Sequence, residues 1–143
     1  MCKIRRSNFA SRLQIAVLAI AVSATTVAAQ QLVNNWNTGA CGFTDTATLT
    51  IGQPVHLSRI ELWYNWQPNE VSVGYTVFFN GQAIGSGNLS RASCDPYQQA
   101  WCVAQDAPDT DMSPGTYTFR TERPRVCQNG GSGGQGFIRA YAN

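Results

Sequence analysis

The sequence predicts an all-β fold, an antiparallel two-sheet sandwich of the jelly-roll or immunoglobulin-like type that is tied by disulfides. Apolar and polar residues alternate repeatedly after Gln30, whereas no segment there keeps the spacing of an amphipathic helix for more than a turn. Glycine, proline and asparagine separate the alternating runs. About seven short strands divided by such turns are typical of a sandwich.

The first half of the domain contains two alternating runs. The core-facing residues expected from the first run, which otherwise consists mainly of threonines, are Phe43, Ala47, Leu49 and Ile51. Those expected from the second run are Ile60, Leu62, Tyr64 and Trp66. Trp63 then lies on the opposite face of the second strand, beside Glu61.

The second half begins with a hairpin. Residues 71–79 alternate, Asn80-Gly81 is a strong turn signal because both residues tolerate positive φ, and residues 82–89 return as the partner strand. Residues 90–115 are expected to be a long connection. Further strands are predicted at residues 116–122 and 137–141.

The first 29 residues are typical of a secretory signal peptide. A basic start is followed by a mainly apolar run, residues 13–22, and by the small-residue cleavage site Val27-Ala28-Ala29. We therefore expect residues 30–143 to form one exported domain, secreted or periplasmic. An apolar run of about ten residues is too short for a permanent membrane helix, so no stable membrane insertion is expected.

Removal of the signal reverses the net charge. Four of the ten basic residues lie in the segment 1–29, which leaves six against eight acidic residues and a net charge of −2. Nucleic-acid binding is not expected, because it needs a concentrated basic surface.

Four cysteines remain after residue 29: Cys41, Cys94, Cys102 and Cys127. An even number in an exported domain favours two disulfides, with three possible pairings. We favour Cys94 with Cys102, which closes a short loop, and Cys41 with Cys127, which ties the first strand region to the last. Each bond is expected to contribute about 2–4 kcal/mol.

Two segments carry a resemblance to a known family. Residues 113–118 (SPGTYT), Gln128-Asn129 and residues 132–139 (SGGQGFIR), together with residues 49–66, resemble an uncharacterised family of small exported bacterial β-sandwich domains. The resemblance implies an exported β-sandwich and brings no catalytic residues. Cys127, in place of an expected serine, and the Cys94–Cys102 loop depart from the family pattern.

Aromatic residues outside the predicted core form the candidate ligand site. Trp63 on a solvated strand face offers a flat surface of the kind on which the C–H faces of sugars pack. Tyr97 and Trp101, on the loop bounded by Cys94 and Cys102, would extend this surface. The alternative is that a loop covers Trp63, since tryptophan is usually well buried.

A second candidate is a cation site. Asp106, Asp109 and Asp111 place three carboxylates on one predicted loop, which are the hard oxygen ligands that Ca²⁺ requires. Aspartate is also an ordinary turn residue. No other cofactor is expected.

The sequence therefore predicts a secreted, non-enzymatic binding or adhesion module, with carbohydrate as the leading ligand class. The alternative is a structural or protein-interaction domain of the cell envelope with no small ligand, so the expected partner is a glycan or an envelope protein. Support for a small hydrolase is slight: His56 is the single histidine, and no GxSxG elbow occurs.

Overall fold

The computed structural model describes residues 27–143, and its regular secondary structure is β-strand apart from one short 3₁₀ turn. The predicted signal peptide lies mostly outside the described residues. The strands are β1 Gln30–Asn34, β2 Gly42–Thr44, β3 Thr46–Ile51, β4 Val55–Asn65, β5 Ser72–Phe79, β6 Gln82–Cys94, β7 Trp101–Asp106, β8 Thr110–Met112, β9 Gly115–Thr121, β10 Val126–Gln128 and β11 Ile138–Ala142. One 3₁₀ turn, Gly130–Ser132, precedes β11. The all-β prediction is confirmed.

All eleven strands belong to one antiparallel hydrogen-bonded sheet in the order β1-β11-β4-β7-β6-β5-β9-β3. Three short strands lie off this path: β2 pairs with β10, β10 with β4, and β8 with β4. The sheet curls on itself and brings β3 next to β11. The Gly136 N–H, just before β11, donates to the Thr46 carbonyl of β3 at 2.9 Å. The result is a nearly closed barrel, and two separate sheets are not confirmed.

The inward side of the sheet forms one core. The alternation places Ile60, Leu62 and Tyr64 of β4, and Trp66 just after it, inside, with exposures of 0–2%. Facing residues from β3, β9 and β11 complete the interior: Ala47, Leu49, Tyr117, Phe119, Ile138 and Ala140. Burial of this apolar surface is the main force that holds the sheet closed.

The predicted hairpin is present. β5 pairs with β6 from Gln82 to Ser90, and Asn80 and Gly81 take φ values of 51° and 76°. Positive φ at both turn residues matches the twist of the flanking strands.

Two expectations were wrong. Residues 90–115 are not a long connection, because β6 continues to Cys94 and β7 and β8 follow within that range. The glycine and serine content of β6 hides its strand character, since it removes the apolar period. Phe43 does not face the core: Asp45 interrupts the first run between β2 and β3, and Phe43 is 53% exposed.

Both favoured disulfides are present. Cys41 pairs with Cys127 beside the β2–β10 ladder, and Cys94 pairs with Cys102 across β6 and β7. Two disulfides are typical of proteins that fold in an oxidising compartment. Among residues 27–143, no helix is long and apolar enough to cross a membrane.

Candidate functional site

Trp63 lies on the outward face of β4. Its neighbours Leu62 and Tyr64 are fully buried on the inward face, and the period-two geometry of the strand turns Trp63 away from them. The side chain is half-buried. Part of its surface is covered by other aromatic rings, and part stays open to solvent.

These rings form a continuous aromatic row made of Trp36, Trp63, Trp101 and Phe43. The Trp36 and Trp63 ring centroids are 5.3 Å apart, and those of Trp63 and Trp101 are 6.3 Å apart with planes only 13° from parallel. Phe43 continues the row at 5.7 Å from Trp101. All three contacts lie within the distances at which aromatic pairs attract one another.

Arginines cap the row at both ends. The Arg139 guanidinium lies 3.7 Å from the centroid of Trp36, and that of Arg125 lies 5.6 Å from the centroid of Phe43. Both are cation–π distances. Each guanidinium adds a cation–π attraction at one end of the row.

Glu61 fixes the Arg139 cap. It is only 8% exposed, although it points outward, because two arginines cover it. Arg139 Nη2 lies 2.8 Å from Glu61 Oε2, and Arg59 Nε lies 3.0 Å from Oε1. These two ion pairs keep both guanidinium groups beside the carboxylate.

Trp36 is carried by residues 35–41, here called the strap, which cross the outward face after β1. The Asn35 amide donates to the Gly136 carbonyl at 3.0 Å, and its oxygen accepts from the Ile138 N–H at 2.7 Å. The side chains of Asn37 and Asn129 exchange two further hydrogen bonds, at 3.0 and 2.7 Å. With the Cys41–Cys127 bond at its end, the strap is fastened at three points.

A groove of about 470 Å³ lies between the strap and the Cys94–Cys102 loop. Its walls carry Trp36, Trp63 and Trp101, and its polar groups come from Asn37, Thr38, Asp95 and Gln98. Asp95 also orders the loop, because its carboxylate accepts from the backbone N–H groups of Tyr97 and Gln98. The groove thus combines flat apolar walls with several hydrogen-bonding groups.

The structure brings together two of the three predicted ligand residues. Trp63 and Trp101 line the groove, whereas Tyr97 is 93% exposed and lies outside its lining. Sequence reasoning missed Trp36 and Phe43. Trp36 sits in a stretch without apolar periodicity, between asparagines, so no pattern marks it as a wall residue.

The predicted calcium ligands lie elsewhere and separate into two groups. Asp109 and Asp111 each place a carboxylate oxygen 2.7 Å from a ring nitrogen of His56. Asp106 instead accepts from the Tyr75 hydroxyl at 2.6 Å. Within residues 27–143, no three His, Cys, Asp or Glu side chains gather in a geometry that would hold a metal ion.

Several ionisable side chains outside the groove, His56 among them, are engaged in structural contacts. His56 is held by two aspartates, and Glu70 accepts from the Gln67 N–H and faces Arg123 at 3.5 Å. Burial, with a smaller contribution from Glu70, raises the pKa of Tyr64 to about 12. Tyr64 therefore stays protonated at neutral pH.

Comparison with protein-family models, curated proteins and solved structures finds no match to this chain. The resemblance to small exported β-sandwich domains stays a prediction.

Proposed function

We propose that this protein is an exported, non-enzymatic binding module that takes carbohydrate in the groove of the aromatic row. The observation that carries the proposal is the convergence of Trp36, Trp63 and Trp101 on one open groove. Sugar rings pack their C–H faces on indoles, while amide, hydroxyl and carboxylate groups hydrogen-bond their hydroxyls. Asn37, Thr38, Asp95 and Gln98 supply such groups in the same groove.

The rigidity of the groove supports the proposal. Arg139 and Glu61 hold Trp36, and the disulfides fasten both walls. Preformed walls reduce the entropy lost on binding, which matters for sugars because each of their contacts is weak. The volume of about 470 Å³ falls in the range of small-ligand sites.

The test is a glycan array of neutral and acidic oligosaccharides probed with the oxidised full-length protein, followed by titration of each retained glycan. We expect Trp63→Ala and Trp101→Ala to weaken binding at least about tenfold, because each removes a wall of the groove. Far-UV circular dichroism checks that the variants remain folded. A parallel array with added Ca²⁺ tests whether Asp106, Asp109 and Asp111 contribute to glycan binding through a bound cation.

Phe78→Ala is the matched control. Phe78 is also a half-buried aromatic with an arginine, Arg120, 4.9 Å from its centroid, but it lies on β5 outside the groove. Tyr97→Ala asks whether a longer glycan reaches beyond the groove, and we expect a smaller loss. Glycan binding that survives both tryptophan substitutions, or the absence of binding to any glycan on the array, would instead favour a structural or protein-interaction domain of the cell envelope.

A further inference from the structure

β6 has an open edge. β5 pairs with β6 from Gln82 to Ser90, but β7 covers the other edge only from Ser90 to Cys94. β7 stops at Asp106, residues 107–109 belong to no strand, and β8 pairs with β4. Within residues 27–143, no strand pairs with the outer edge of residues 82–89.

The register shows which main-chain groups face this opening. The Arg91 N–H donates to the Val71 carbonyl on the β5 side, whereas Ser90 is the residue that pairs with Gln105 on the β7 side. Because the backbone groups of successive residues point to opposite edges, those of Ser86 and Asn88 point away from β5. Ser86 and Asn88, two positions apart, therefore present unpaired backbone N–H and C=O groups along this edge.

A cleft of about 360 Å³ lies beside this edge, between β6 and β8. Its apolar lining comes from Tyr75, Val77, Ile84 and Met112. Gly85 and Gly87 add no side chains there, and a Cβ at Gly87 would lie 2.5 Å from the Tyr75 hydroxyl oxygen. The cleft thus reaches the core residues Tyr75 and Met112 between the two strands.

The cleft is acidic. Asp106 and Asp111 line it, Asp109 lies between them in sequence, and none of its lining residues is arginine or lysine. His56 offsets part of this charge through its contacts with Asp109 and Asp111. The charge around the cleft complements a cationic ligand.

We propose that the β6 edge binds an extended basic peptide segment as an added strand. Its main chain pairs with Ser86 and Asn88, an apolar side chain enters the cleft beside Val77 and Met112, and basic side chains face the aspartates. Free backbone groups at a spacing of two match an extended polypeptide better than any small molecule. This site lies at the opposite end of β7 from Trp101, so it is independent of the glycan groove.

Two features of the edge favour this occupant. Residues 82–89 contain no charged residue and no proline, which are the usual devices that prevent strand addition. A second copy of this chain would bring two acidic clefts together if it paired through the same edge, and like charges oppose that arrangement.

The first test selects binders from a displayed library of random linear peptides with the oxidised full-length protein. We expect the selected peptides to combine lysine or arginine with alternating apolar residues, and their affinity to fall as salt is raised. Ser86→Pro removes the outward N–H without breaking a bond to β5, so the fold tolerates it while strand addition is blocked. We expect about tenfold weaker binding for Ser86→Pro, and unchanged binding for the control Ser86→Ala, which keeps the N–H.

A second measurement needs no variant. Hydrogen exchange of the wild-type protein with a selected peptide should protect the amides of Ser86 and Asn88, while Gly85 and Gly87 change little because they already face β5. Selection of acidic peptides, binding unaffected by Ser86→Pro, or a library without enrichment would overturn the proposal. Protection that rises with protein concentration alone would assign the edge to a second copy and overturn the peptide assignment.

Discussion

His56 lies between two carboxylates, and its protonation state follows from that geometry. Both ring nitrogens lie 2.7 Å from aspartate oxygens, and only the doubly protonated imidazolium donates to both. Hydrogen bonds to Asp109 and then Asp111 raise its pKa above the ordinary value of 6.5. The charged form is favoured in the folded protein more than in the unfolded chain.

The stability contributed by His56 is therefore fully present below pH 6.5 and is lost as the pH rises through the raised pKa. An NMR titration isolates this group, because the chain has one histidine. We expect a midpoint above 6.5, and a lower midpoint in both Asp109→Asn and Asp111→Asn. A wild-type midpoint at or below 6.5 would contradict the observed contacts.

The sequence could not reveal this cluster. Asp109 and Asp111 lie more than fifty positions from His56, and only the pairing of β8 with β4 places His56 opposite Asp111. By contrast, the outward position of Trp63 follows from local alternation and was predicted correctly. Contacts between strands that are distant in the sequence depend on the strand order and register of the sheet. The alternation of residues within one strand does not reveal that order or register.

Among the strands, those with the most regular alternation of apolar and polar residues are the ones that the sequence predicts best. β4 was anticipated because its inward residues are large and apolar along most of its length. β6 was anticipated only to Leu89, because small and polar residues dominate it. β7 was not anticipated, because its three consecutive buried residues, Cys102, Val103 and Ala104, leave no alternation. Apolar and polar residues do not alternate along the strap, so Trp36, the groove wall that it carries, was missed.

The two disulfides differ in what they hold. Cys41–Cys127 joins residues 86 positions apart and anchors the strap, whereas Cys94–Cys102 spans 8 positions. A disulfide that closes a longer loop removes more entropy from the unfolded chain. In the chain-entropy model, Cys41–Cys127 therefore stabilises the folded protein by about 4–5 kcal/mol and Cys94–Cys102 by about 2–3 kcal/mol.

We therefore expect Cys41→Ser with Cys127→Ser to destabilise the protein more than Cys94→Ser with Cys102→Ser, by about 2 kcal/mol. Denaturant unfolding of the two double variants measures this difference. The first pair should also weaken glycan binding, because it frees the strap that carries Trp36. Equal or reversed stability losses would show that the entropy of the unfolded chain does not control the effect.

At the scale of the whole molecule, the barrel closes at Gly136. A Cβ there would lie 2.5 Å from the Thr46 carbonyl oxygen, which accepts the Gly136 N–H. Only glycine permits this close approach of the two backbones. The all-β class followed from the sequence, but this closure into one sheet did not, because it depends on contacts between strands that are distant in the sequence.

Gly136→Ala is expected to destabilise the protein by about 1–3 kcal/mol, because the added methyl group forces β3 away from β11. Thermal and denaturant unfolding measure the loss. Gly52→Ala is the control, since no heavy atom lies within 4 Å of its added Cβ and its effect should stay within about 0.5 kcal/mol. Equal stability of the two variants would show that the contact at Gly136 does not hold the barrel closed.

The position of β11 has a consequence for the order of folding. β11 follows the other ten described strands in chain order, yet it lies inside the sheet between β1 and β4. During synthesis, β1 and one edge of β4 remain without this partner until residues 138–142 have emerged. Such unpaired edges invite aggregation, so a nascent chain gains from staying unfolded until β11 is available.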